Sequence, residues 1–122
     1  MGDRDDGIAW FRELLAPAGG IGARRMFGGT GFHADGLMIA LEMDGTLYLK
    51  ADAQSRGCFE SAGCAPFVFA GRGRTIVTSY WTAPDDALDS PDAMRPWALL
   101  AVQAAQRAAA AKPRRASHRR ER

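Results

Sequence analysis

Few residues in this 122-residue chain could carry chemistry, and their spacing decides how far each can be taken. The glycine run GGTG at 28–31 invites comparison with phosphate-binding loops. A P-loop needs GxxxxGK followed by Ser or Thr, whose lysine and hydroxyl reach phosphate and Mg²⁺. A dinucleotide fingerprint needs GxGxxG between a strand and a helix. Here the glycines stand between two strand-like segments, with no helix following to stabilise an anion. Their expected role is a bend or bulge where backbones come close.

Nucleophilic catalysis finds no better footing. The two histidines are His33, in a predicted hairpin, and His118, near the C-terminus. A Ser-His-Asp or Cys-His arrangement needs an imidazole within hydrogen-bond reach of its nucleophile, and Ser79 and Cys58 are distant from both in sequence. Asp85 and Asp86 are adjacent in a polar connection, unlike a separated carboxylate pair with divergent pKa values. Cys58 and Cys64 lack a CxxC partner. Helical geometry between them would hold them roughly 9 Å apart along the axis, beyond the roughly 7 Å reach of a disulfide. The expectation is a non-enzymatic protein with no catalytic, metal-binding or cofactor-binding residues and no cofactor. A small-molecule sensor or uncharacterised enzyme would instead require a pocket where groups such as His33, Cys58 or Ser79 converge.

The elements that must position these residues are readable from periodicity. Residues 5–16 carry Ile8, Phe11, Leu14 and Leu15 at helical spacing, with Asp5 or Asp6 as cap and Pro17 and Gly19-Gly20 as the stop. The period then changes to two, and ARRMF, GFHA, LMIALEM and TLYLK read as four strands broken by glycines. Asp-Gly pairs at 35–36 and 44–45 are hairpin signals. At the second, a three-residue loop would set Leu41 opposite Leu47 and Ile39 opposite Leu49, giving one apolar face. A two-residue turn would pair Leu41 with Tyr48 and Ile39 with Lys50. The three-residue loop is the expectation.

A short helix over 53–62 follows, with Asp52 as N-cap, Phe59 as its core anchor and Gly63 as its stop. PFVFA and TIVTSYW make a second hairpin about the exposed turn GRGR at 71–74. Beyond a polar connection, Ser90 and Pro91 open a helix whose apolar face runs through Met94, Trp97, Ala98, Ala101, Ala104, Ala105 and Ala108. Pro96 removes a backbone bond, so the expectation is a turn near 91–94 followed by the main helix from Pro96 to residue 111. The predicted class is α+β: helix, four-strand meander, helix, hairpin, helix, with an antiparallel sheet of about five to six strands and helices on one face.

Composition fits one soluble domain, with 47% apolar and 25% charged residues. The start, MGDRDDGIAW, has no basic and apolar leader pattern, and no run approaches the roughly 20 apolar residues of a membrane span. A cytoplasmic location and no membrane association are expected. The formal charge of +2 conceals an asymmetry. Residues 112–122 hold six of the 16 basic side chains and one of the 14 acidic ones, which leaves residues 1–111 acidic. Residues 1–111 are therefore read as the domain and 112–122 as a disordered basic tail. Lys112, Arg114, Arg115, Arg119 and Arg120 could neutralise phosphates, so weak, non-specific nucleic-acid binding through the tail is an alternative function.

Tyr80 and Trp81 are adjacent in a predicted strand, so one faces the core and the other the opposite side. Together with Phe27 and Tyr48 they are the candidate partner-binding residues. RRMFGGTGF, DGLMIALEMDGTLYLKAD, GCAPFVF and SYWTAPDDALDSPDAMRPWA, in this order from about residue 14 to 105, resemble the N-terminal domain of TfoX/Sxy proteins. The resemblance implies an α+β domain with a central antiparallel sheet and a regulatory role. Full TfoX/Sxy proteins promote bacterial competence by helping a catabolite-activator-type regulator act at DNA-uptake promoters, and they carry a second, helical C-terminal domain. Here the Arg-rich tail stands in its place, implying an N-terminal domain that serves a regulatory partner. The matching positions Met26, Phe27, Gly28, Gly29, Leu47, Tyr48, Leu49, Lys50, Tyr80 and Trp81 are then holders of the fold. The expected partner is a transcription factor or polymerase component, met through protein contacts.

Overall fold

Two Asp-Gly turns set the frame of the sheet. In the computed structural model, which describes residues 2–26, 28–71 and 73–111 (side chains from Gly7 onward), Asp35 and Asp44 take φ of 52° and 53°, followed by Gly36 and Gly45 at 79° and 82°. Two successive positive φ values make the type I′ turn, whose twist suits flanking strands. They join β2 (Gly29–Ala34), β3 (Leu37–Met43) and β4 (Thr46–Lys50). With β1 (Ile21–Met26), β5 (Pro66–Gly71) and β6 (Arg74–Thr82) these form one antiparallel six-stranded sheet in the order β1-β2-β3-β4-β6-β5.

The register at the second turn corrects the sequence-based expectation. Leu41 faces Tyr48 and Ala40 faces Leu49, so the turn has two residues and not three. The cause lies one strand away. Phe32 faces Ala40 while His33 faces Met38, leaving Ile39 as the extra residue of a β-bulge. The bulge resets the alternation, so Ile39 and Ala40 are both fully buried in the core. Leu47 and Leu49 then reach that core opposite Glu42 and Ala40, and Leu41 turns to the other face. The buried Glu42 accepts the Gly45 N–H through Oε2 at 2.9 Å, which fixes the turn.

Three helices cover one face of the sheet. α1 spans Gly2–Leu15, beginning before the expected residue 5, so Asp5 and Asp6 lie within it and their side chains fall outside the described residues. Leu14 and Leu15 are fully buried, and Arg12 donates to the Ile21 carbonyl at 3.0 Å, tying the helix to β1. α2 is shorter than expected, Arg56–Ser61. Asp52 caps the turn before it, accepting the N–H groups of Gln54 and Ser55, both at 3.1 Å. Phe59 is fully buried against Trp81 and Trp97, and Gly63 (φ 82°) ends the helix.

α3 runs unbroken over Pro91–Ala111, against the expected break at Pro96. Pro96 removes only its bond to the Asp92 carbonyl, in the exposed second turn. The start is held independently, because Ser90 Oγ accepts from Ala93 N–H at 3.1 Å and Ser90 O from Met94 N–H at 2.9 Å. Met94 and Ala98, both fully buried, anchor the helix on either side of the proline. Small Ala98, Ala101, Ala104 and Ala105 let α3 settle closely on the core, and Arg107 joins Asp52 in a two-pronged ion pair at 2.7 and 3.0 Å.

Candidate protein-docking surface

The sheet face away from the helices is built around missing side chains. Directly opposed residues in antiparallel strands share a face. Arg24, Gly31, Leu41 and Tyr48 therefore form one row, His33 and Met38 another, and Met26 stands beside Gly29. A Cβ on Gly31 would meet Met26 Sδ at 2.7 Å and Met38 Sδ at 3.2 Å, and one on Gly29 would meet the Met43 thioether at 3.0 Å. The glycines of β2 thus open a trough in which Met26, Met38 and Met43 lie, over a nearly buried Leu41. This is what the glycine run does, together with the turn at Gly28 (φ 83°). Polarizable, unbranched thioethers repack easily against varied surfaces.

Aromatic residues extend the trough toward β6. The Tyr48 ring packs on Phe67 with centroids 4.9 Å apart. Tyr80 lies across from Lys50, whose Nζ sits 5.1 Å from the Tyr80 ring centroid and donates to Ser79 Oγ at 2.8 Å. Burial pushes the Tyr80 hydroxyl up to about 12, and its contact with the Met38 carbonyl is long, at 3.4 Å. Trp81, by contrast, is 8% exposed and packs into the core against Phe59, so it does not belong to a docking surface. Of the four candidate partner-binding residues, Tyr48 and Tyr80 share the open face. Phe27 lies outside the described residues, as do Lys112, Arg114, Arg115, Arg119 and Arg120.

Beyond this face the second hairpin projects as an arm. β4 pairs with β6 only at Tyr80–Thr82, so the ladder from Val77 to Arg74 is bonded to β5 alone among the described residues. Between Pro66 and Val68 the register jumps, leaving extra residues on β6. Thr78 pins this irregularity, donating to the Phe67 carbonyl at 2.8 Å and accepting the Tyr80 N–H at 3.2 Å. Val68 opposes Val77 and Phe69 opposes Ile76, consecutive pairs that point to opposite faces, and all four are 45–65% exposed. Among the described residues, only Trp10 and Leu99 are comparably exposed large apolar side chains.

The residues considered for catalysis do not converge. His33 is on the open face, Cys58 is exposed on α2, and Ser79 Oγ accepts a hydrogen bond from Lys50 Nζ. A donating ammonium is the wrong partner for activating a hydroxyl. A groove of about 720 Å³ opens between Leu47, Cys64, Asp85 and Trp97, and His33, Cys58 and Ser79 do not line it. Burial raises the Cys64 thiol above its ordinary range, reinforced by the charge of Asp85 and opposed by a hydrogen bond with Thr82, which suppresses thiolate chemistry. Cys58 and Cys64 are free thiols. Among the described residues no helix is long and apolar enough to cross a membrane.

The methionine trough and the arm are the features the sequence reading missed. Met26, Met38 and Met43 look like ordinary strand residues until the register lays them over Gly29 and Gly31. The arm had a visible signal: FVF and the IV at 76–77 are apolar at successive positions, hence on both faces, with no helix available to cover the second. Compared with known families, residues 13–105 match the TfoX N-terminal domain. No curated protein matches the chain.

Proposed function

The chain belongs to the TfoX N-terminal domain family, and on that premise we propose that it is a non-enzymatic regulatory module that assists transcription, of the competence and DNA-uptake type, by docking a protein partner on its open sheet face. The observation that carries this reading is the trough of Met26, Met38 and Met43 flanked by Tyr48 and Tyr80 on the face opposite the helical core, which α3 approaches at the Met38–Tyr80 corner through Ala105, Ala108 and Ala109. Flexible thioethers beside rigid aromatic rings make a surface that adapts to another protein while anchoring it. The partner is a transcription factor or polymerase component of the cytoplasm. The acidic balance of residues 1–111 disfavours DNA binding by the folded domain unaided, because phosphate contacts require an excess of cations.

Photo-crosslinking in living cells tests the reading. A photoreactive residue in place of Tyr48 is expected to capture one component of the transcription apparatus, whereas the same residue at Gln103, exposed on α3, captures none. Equal capture from both positions, or capture only of proteins unrelated to transcription, would overturn it.

A further inference from the structure

We propose that β5 is the seam of a homodimer, in which two copies pair edge to edge, antiparallel about a two-fold axis at the middle of Pro66–Gly71, and merge their sheets into one of twelve strands. The inference stands on the arm alone and does not depend on what the open face binds.

The two edges of the sheet are treated differently. β1 carries the exposed cations Arg24 and Arg25, the usual device that keeps an edge from pairing with another chain. β5, at the opposite edge, reads PFVFAG and has no charged residue. Its proline stands at the first position, where a missing N–H interrupts least. An apolar edge whose breaks, Pro66 and the irregularity before Val68, lie at one end remains a template for another strand.

The arm also leaves apolar side chains uncovered on both of its faces. Val68 and Phe69 of β5 are each about half exposed, one on each face, and a strand laid along β5 would flank both. Main-chain pairing along six residues with these flanking contacts makes a seam smaller than the ~800 Å² per partner of a standard interface, so a weak, concentration-dependent dimer is expected.

Charge argues that the occupant is a second copy. In an antiparallel pair the arm tip of one protomer lies beside the arm base of its partner, and two-fold symmetry makes this contact twice. The tip carries the exposed Arg74. At the base, Cys64 shares its groove with Asp85 and Asp86, both exposed, and Glu60 is exposed on the neighbouring α2. Cation therefore meets anion at both ends of the seam.

Sedimentation equilibrium of the full chain over a roughly hundredfold concentration series tests this. A monomer–dimer equilibrium is expected. Phe69→Lys places a charge in the seam and is expected to weaken association at least tenfold. Arg74→Glu, at the tip and away from the core, is expected to weaken it several-fold, with Asp85→Arg in the same chain restoring part of the loss. Ala23→Lys on the other edge leaves it unchanged. A monomer at every concentration, a dimer indifferent to both Phe69→Lys and Arg74→Glu, or a dimer lost on Ala23→Lys would each overturn the proposal.

Discussion

Replacing Gly29 and Gly31 one at a time by alanine separates two reasons for a glycine in a strand. Neither has a positive φ, so alanine can adopt both backbones, and the substitution gains about 0.4–1 kcal/mol by stiffening the unfolded chain. What differs is the neighbour. At Gly29 the new methyl collides with the Glu42 carbonyl oxygen, part of the β3 backbone, which cannot move without disturbing the ladder. At Gly31 it meets the Met26 and Met38 sulfurs at 2.7 and 3.2 Å, the far ends of flexible chains that can swing away. Overpacking against a rigid wall costs about 1–3 kcal/mol. Net of the entropy gain, Gly29→Ala is expected to lose about 1–2 kcal/mol and Gly31→Ala to stay within about 0.5 kcal/mol of the parent. For a domain of this size that is a Tm lowered by roughly 5–10 °C in the first case and almost unchanged in the second. Thermal unfolding followed by circular dichroism, with urea midpoints as a check, reads both. Equal losses, or Gly31→Ala as the more damaging change, would refute the geometry of the trough and the scaffold role assigned to the glycine run.

Three further expectations follow from single side chains. Trp81→Ala, emptying a core position, is expected to cost about 3–5 kcal/mol in urea unfolding. Tyr80→Phe stays within about 1 kcal/mol, since its hydroxyl contact is long; a reversal would exchange the two faces of β6. The hydrogen bond from Arg107 holds Asp52 down at about 2 from 3.8, helped by the Ser55 N–H and opposed by burial. A depressed carboxylate stabilises the fold above the unfolded pKa and loses that contribution as pH falls from about 4 to 2. Asp52→Ala should therefore be about 1–2 kcal/mol less stable than the parent at pH 7, with the gap closing through that window in pH-dependent melts. If the Arg-rich segment binds nucleic acid, truncation after Ala111 abolishes a steeply salt-dependent affinity in fluorescence anisotropy; unchanged affinity would eliminate that role.

Element order was legible because each signal is local. The Asp-Gly turns, the helical spacing of Ile8, Phe11, Leu14 and Leu15, and the Ser90-Pro91 start all act within a few residues. The register of β3 against β4 was not, because it depends on the bulge at Ile39, which is set by the pairing of β3 with β2. The continuity of α3 through Pro96 likewise rests on Met94 and Ala98 being gripped by the core on either side. At the site, adjacency told that Tyr80 and Trp81 part ways, yet only the sheet topology shows that the tyrosine takes the face opposite the core. The methionine trough needed all three of its strands in register to exist, so no window along the chain displayed it.

If regulatory output passes through the open sheet face, altering that face alone must abolish it. Transcript profiling of a strain carrying Met43→Ser/Tyr48→Ser at the native locus, with protein level and Tm confirmed, tests it against a deletion strain. The face variant is expected to reproduce the deletion profile, while Cys64→Ser in the groove leaves the parent profile intact. A parental profile from the face variant, with the deletion profile appearing in the groove variant, would contradict the claim.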